Sequence, residues 1–344
     1  MHKNLTACAV FLGALGLPLT TFAHEVYVLP LDVIREAMTN PSPDPFSAIL
    51  GNEWQFMFWA FVGFVAVSTI AAATFFGLFE KRMIPTLMRL KRYALPLARL
   101  TAGLSTLSFG LAGALYGTEI PFDSLFGAAS GLMQICFVAA GIALILGVFT
   151  RPFAVLLATV YAYAGYIYGW YIFTYTDHIG LYILLILLGS GGFTLSRRLH
   201  LNELNPPRIV EHLRPLAFPI LRILFGFGIM FASVYAKYMY SALALNVVVM
   251  YNLTTYFPFD PLFVVLGALI IEFLAGILFM LGIAVRWSSL FLLFWLTLSL
   301  IYFQEDVWPH IILFGLCGVI FLHGYDKFSL EEPFLRRRNS EPVL

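Results

Sequence analysis

The stretch PLFVVLGALIIEFLAGILFMLGIAVR, residues 261–286, holds one acid, Glu272, inside an apolar run long enough to cross a bilayer. A hydrocarbon core of roughly 30 Å takes about 20 helical residues to span, and a carboxylate near its middle costs at least ~2.5 kcal/mol unless it is paired, protonated or facing water. Glu272 is therefore a candidate functional residue. The end of the same stretch, Ala275-Gly276-Ile277-x-x-x-Leu281-Gly282-x-x-x-Arg286, recurs as Ala140-Gly141-Ile142-x-x-x-Leu146-Gly147-x-x-x-Arg151. Part of the chain repeats itself.

Of 344 residues, 60% are hydrophobic and 11% charged, and the mean hydropathy is +0.87. This is the composition of a polytopic membrane protein, so the lipid bilayer is its first partner. The basic residues sit in short clusters between apolar runs, where they set topology, and nucleic-acid binding is excluded. Cys8 falls in an N-terminal targeting segment and Cys136 and Cys317 in apolar runs, which leaves no extracytoplasmic disulfide framework.

Residues 1–23 have the build of a secretory signal peptide, with His2 and Lys3, an apolar run over 7–19 and a small-residue exit at Thr21-Phe22-Ala23. Cleavage there would leave His24 as the first residue. Residues 24–53, with five acids and the Pro-rich NPSPDP, read as an extracytoplasmic cap. Apolar runs at 54–79, 95–117, 125–149, 153–173, 178–195, 216–240, 261–285, 288–303 and 310–325 predict nine spans. Every second loop is basic, including Lys81, Arg82, Arg89, Lys91 and Arg92 after the first span and Arg197 and Arg198 after the fifth. The alternate loops carry acids such as Glu119, Asp177 and Glu305 without Lys or Arg. The N-terminus is then extracytoplasmic and the C-terminus cytoplasmic in a multi-pass protein of the cell (inner) membrane.

Two further landmarks recur. Pro96-x-x-Arg99-Leu100-x-x-Gly103 matches Pro219-x-x-Arg222-Ile223-x-x-Gly226, and His178-Ile179-x-Leu181-Tyr182 matches His310-Ile311-x-Leu313-Phe314. The fold expected is an all-α polytopic membrane protein of nine transmembrane helices, two tandem four-helix bundles plus one extra N-terminal span. Its parts are an extra helix and basic loop at 54–94, a first repeat at 95–195, a linker at 196–215, a second repeat at 216–333 and a cytoplasmic tail at 334–344. Parallel repeats of this kind place sites between the halves. The symmetry is broken where Phe137 stands in place of Glu272 and Ala114 in place of Lys237.

A four-helix unit with an Arg opening its first helix, a Glu and the AGxxxxLGxxxR pattern in its second, and a closing Gly324 to Ser329-Leu330 resembles the DoxX family, the C-terminal copy being the better match. The resemblance implies membrane redox work. The DoxD and DoxA relatives form thiosulfate:quinone oxidoreductase, and MauE-like relatives serve the maturation of periplasmic redox enzymes.

Glu272 lies 14 residues from Arg286 and Lys237 lies 15 from Arg222, hence ~21 and ~22 Å from the same membrane face at 1.5 Å per residue. Charges at one depth on consecutive antiparallel helices are buried at least cost as an ion pair, either structural or active in proton or ligand handling. His178 and His310, each near acids at the outer end of a last helix, either relay protons or ligate a metal, or are interfacial side chains with wet tips. One of them is expected close to the Lys237–Glu272 pair. His24, with a free α-amine beside its imidazole, is a candidate ligand for copper or zinc. Tyr161, Tyr168 and Tyr171, spaced i, i+7, i+10, either line a quinone site from one helix face or belong to an interfacial belt. The apolar loop 241–260 reads as a lid.

The function expected is that of an integral membrane redox protein or subunit, linking an extracytoplasmic reductant such as thiosulfate to the quinone pool beside a periplasmic or membrane redox partner. The alternative is a non-enzymatic scaffold or maturation factor, or a small-solute carrier. The loop charges generate a direct test of orientation. An alkaline phosphatase reporter should be active when fused after residue 120 and inactive when fused after residue 92 or at the C-terminus; the opposite pattern would reverse the topology.

Overall fold

The computed structural model describes residues 28–331 apart from 40, 51 and 199–207. The signal segment, His24 and the 334–344 tail lie outside the described residues. The main helices are α1 (Leu31–Thr39), α2 (Asn52–Lys91), α3 (Ala94–Ala112), α4 (Ser130–Leu146), α5 (Thr150–Tyr168), α6 (Thr176–Leu188), α7 (Ala217–Val234), α8 (Ser241–Met250), α9 (Pro261–Leu281), α10 (Val285–Phe303) and α11 (Ile311–His323).

The opening stretch becomes α9, and its ends are written in the sequence. The Asp260 side chain accepts from the Leu262 and Phe263 N–H groups, Pro261 occupies the first helical position, and Gly282 closes the helix at φ 70°. These are the preferred residues for an N-cap, a first turn and a left-handed C-cap.

Helices α3–α6 form one bundle and α7 with α9–α11 a second, and their packing is paired. Helix α3 crosses α4 at Gly141, where a Cβ would stand 2.5 Å from the Leu107 nitrogen, and α7 crosses α9 at Gly276, where a Cβ would stand 2.6 Å from the Gly226 oxygen. Only glycine admits backbones so close. The α5–α6 hairpin is tied by Arg151 Nε donating to the Ile186 carbonyl at 3.1 Å, and α10–α11 by Arg286 Nε donating to the Phe321 carbonyl at 3.1 Å. The last helix of each bundle packs on the first helix of the other, α6 on α7 and α11 on α3. Gly180 there meets Leu221 and Leu224, and Gly315 meets Thr101. This exchange is the contact pattern of two copies related by a two-fold rotation.

The contacts also fix the register. Gly141 and Gly276, Arg151 and Arg286, and Gly180 and Gly315 are each 135 residues apart, whereas His178 and His310 are 132 apart. The two histidines therefore do not occupy equivalent places. His310 is the N-cap of α11 and His178 lies inside the first turn of α6. A string as short as His-Ile-x-Leu matches after a slip of almost one helical turn.

Six helical stretches among the described residues are long and apolar enough to cross a membrane, which supports a polytopic α-helical membrane protein and not a count of nine. The differences have local causes. Helix α3 carries Arg99, Thr101, Ser105, Thr106 and Ser108 in its 19 residues, and the 39-residue stretch Thr150–Leu188 turns back on itself at Gly169–Tyr175. Helices α6 and α11 have 13 residues each, about 20 Å at 1.5 Å per residue. The expected outer loop at 118–124 is also not free: an Ala114–Pro121 bridge and a short helix at Phe122–Phe126 pack it into the first bundle.

Helix α2, the extra span, stands almost clear of the rest, with Phe56, Phe64 and Phe75 exposed. It is held where Phe61 meets Phe263, 6.1 Å between centroids, and where the buried Glu80 pairs with Arg286. The glycine crossing gives a test. Gly276→Ala should cost about 1–3 kcal/mol through overpacking and lower the melting temperature in detergent. Gly77→Ala, with no atom within 4 Å of its new Cβ, should be neutral or stabilising by up to ~1 kcal/mol. Equal melting of the two variants would contradict the close crossing.

Candidate functional site

Helix α7 does not end cleanly. It passes into a π turn, Tyr235–Met239, that carries Lys237. Such turns re-aim a side chain and are frequent at functional sites. Here the turn delivers the Lys237 ammonium to the middle of α9, where it donates to Glu272 Oε2 at 2.8 Å. The side chains remain 16% and 20% exposed, because both face a cavity of about 720 Å³.

That cavity is bounded by α7, α9 and α10 of the second bundle, by α8 and by the N-terminal end of α6 from the first. Its walls are largely apolar, with Phe225, Ile229, Val248, Phe263, Ile271 and Trp295 among them. The volume falls in the range typical of small-molecule sites. The stretch read as a lid is the helix α8, which sets Ala244, Val247 and Val248 on the lining. The cap residues hold it in place, since Ser241 donates to the Pro43 carbonyl and Tyr251 to the Val28 carbonyl.

Two further carboxylates and an imidazole reach the lining. His178 Nδ1 lies 3.0 Å from the Asp177 carboxylate, and both residues face the cavity. The imidazole is 1% exposed, wrapped by Tyr116 at 4.3 Å and Phe109 at 5.6 Å between ring centroids. Its Nε2 has no hydrogen-bond partner among the described residues. With Nδ1–H donated to Asp177, the neutral ring leaves the Nε2 lone pair for a ligand or water. Glu305 also lines the cavity; it accepts from Ser299 Oγ at 2.8 Å and stands 2.9 Å from His310 Nε2.

The structure thus gathers Lys237, Glu272 and His178 on one cavity. His310 is not on the lining; it stands beside the lining acid Glu305, with its Nδ1 2.9 Å from the Asp306 carbonyl. Tyr161, Tyr168 and Tyr171 do not line it. Tyr161 donates instead to the Ile172 carbonyl and Tyr171 to Glu119. Tyr171 lies in the 3-10 segment Gly169–Tyr175, so the spacing that would align three rings on one α-helical face is broken. The tyrosines on the lining are Tyr175, Tyr256 and Tyr302. Asp177 and Glu305 drew notice in the sequence as acids of outward-facing loops and as neighbours of histidines, and nothing there showed that they turn inward. No group of three or more His, Cys, Asp or Glu that could hold a metal occurs among the described residues.

Comparison with protein-family models, curated protein sequences and solved structures finds no match.

A double-mutant cycle tests the ion pair. Because the pair is partly exposed, Glu272→Gln or Lys237→Met alone should cost about 1–3 kcal/mol, less than the 3–5 kcal/mol of a fully buried pair. The double variant should melt above either single variant. Strictly additive losses would show that the two charges do not depend on one another.

Proposed function

We propose that this cavity binds the ring of a quinone or quinol, and that the chain is a membrane redox protein or subunit linking an extracytoplasmic reductant, such as thiosulfate, to the quinone pool. The observation that carries the reading is one largely apolar cavity with two pairs of ionisable side chains on its lining, Asp177–His178 and Lys237–Glu272. A quinone is a flat apolar ring with an oxygen at each end. The Lys237 ammonium can donate to one oxygen, and His178 Nε2 can exchange a proton with the other. Reduction of the bound ring takes two electrons, delivered by the reductant through a partner subunit, and two protons, which His178, once it has taken up a proton at Nε2, and the Lys237–Glu272 pair would supply. The resemblance to the DoxX family supports the same class, as does the repeat architecture that leaves a site between halves. In the same reading the chain makes nine crossings, each short last helix completing its span with the turn before it. Residues 1–23 act as a signal peptide, the N-terminus lies outside and the C-terminus in the cytoplasm of an inner membrane.

A second reading, a scaffold or carrier, is favoured by the fact that Lys237 and Glu272 already satisfy one another at 2.8 Å. Trp295 on the lining separates the two. Short-chain ubiquinone should quench its fluorescence saturably, Trp295→Phe should remove the signal, and Glu272→Gln or His178→Gln should weaken binding about tenfold or more, equivalent to ~1.4 kcal/mol. Absence of saturable binding would favour the scaffold or carrier.

A further inference from the structure

The cavity walls are mostly apolar, and water strung along them would lack the two to four polar partners each ordered molecule needs. A built route for protons to and from His178, which is 1% exposed, would bypass those walls. One starts at Tyr175, whose side chain lines the cavity. The Tyr175 hydroxyl is 3.3 Å from that of Tyr171, and Tyr171 donates to Glu119 Oε1 at 3.1 Å. With Glu119 as a carboxylate, the resting direction of the chain follows. Tyr171 has one proton and gives it to the carboxylate, so its oxygen accepts from Tyr175, which leaves the Tyr175 oxygen open to a proton from the cavity. Tyr171 is 2% exposed and Glu119 8%, while Thr118 beside Glu119 is exposed. The chain thus runs from the cavity through a dry middle to the rim of the α3–α4 loop. Around it stand Tyr116, stacked on Tyr175 at 5.1 Å, His178 at 5.9 Å from Tyr175 with Asp177 beside it, and Tyr235 from the end of α7 at 5.4 Å from Tyr171.

We propose that Tyr175, Tyr171 and Glu119 form the proton path between the cavity and the water at the α3–α4 loop. The quinone reading supplies the ligand whose protons travel on it. The proposed quinone reduction draws protons inward: once Glu119 is protonated from water and the hydroxyls have rotated toward the cavity, Glu119 gives its proton to the Tyr171 oxygen as the proton of Tyr171 moves to Tyr175 and that of Tyr175 to His178 or the ligand. The net result is one proton delivered to the cavity and the Glu119 carboxylate restored, with the hydroxyls again donating toward Glu119.

The full chain in detergent with a bound 2-hydroxy-3-alkyl-1,4-naphthoquinone gives the test, since the visible absorbance of that probe reports its protonation. After a pH jump the colour should change on the order of 10²-fold more slowly in Tyr171→Phe and Glu119→Gln than in the wild type. Binding of the probe should be unchanged, and Tyr161→Phe, which is off the chain, should respond as the wild type. Unchanged rates in Tyr171→Phe and Glu119→Gln would overturn the path while leaving the quinone site standing. A ligand-free arm keeps the two ideas separate. On transfer to D2O, the buried Tyr171 hydroxyl, followed by infrared bands that vanish in Tyr171→Phe, should exchange at least about tenfold more slowly in Glu119→Gln. Equal exchange would overturn the path whether or not the cavity takes the naphthoquinone.

Discussion

Everything in this fold answers to the rule that a charge inside an apolar bundle must meet a partner. Glu272 meets Lys237 through a π turn that breaks α7 to reach it. Arg222 meets Asp326 at 2.8 Å and the last carbonyls of α9. Arg286 meets Glu80, which together with the Phe61–Phe263 contact pins α2 to the second bundle. Arg99, in the first bundle, is held by the carbonyls of Ser190 and Phe193 just past the end of α6. The arginines cross-link helix ends, where unpaired carbonyls and the negative end of the helix dipole await a cation.

The two bundles share this frame and differ in what they do with the space above it. In the first, Phe137 takes the place of the acid and packs on Phe122, 5.0 Å between centroids, with both rings buried. The α3–α4 loop then fills what would have been a cavity. In the second, Lys237 and Glu272 stand on the lining of a cavity to which α8 contributes a wall. The first bundle still contributes, because the end of α6 brings Asp177 and His178 to its neighbour's cavity. The cavity beside Lys237 and Glu272 is thus walled by both halves.

Much of this was legible in the sequence because it depends on local pattern. The AGxxxxLGxxxR string marks a glycine crossing and a capped helix end, and counting residues from Arg286 and Arg222 put Glu272 and Lys237 at one depth. What failed depended on geometry that spacing does not encode. Tyr161, Tyr168 and Tyr171 align only on a continuous α-helix, and the 3-10 segment at Gly169–Tyr175 removes that condition. His178 and His310 looked equivalent because a short apolar string survives a slip of almost one turn. The inward turn of Asp177 and Glu119 was hidden because loop acids read as solvated, whereas here tyrosines and a histidine supply buried partners.

The central claim is that one apolar cavity, with Lys237–Glu272 and Asp177–His178 on its lining, is a ring-binding redox site. Its most direct test is an experimental structure of the full chain in a lipid nanodisc with a quinone analogue. The account predicts flat density inside the cavity, with one oxygen within hydrogen-bond distance of Lys237 and another within reach of His178 Nε2. A cavity filled by a lipid acyl chain, with no polar atom at either residue and no change when the analogue is added, would contradict it.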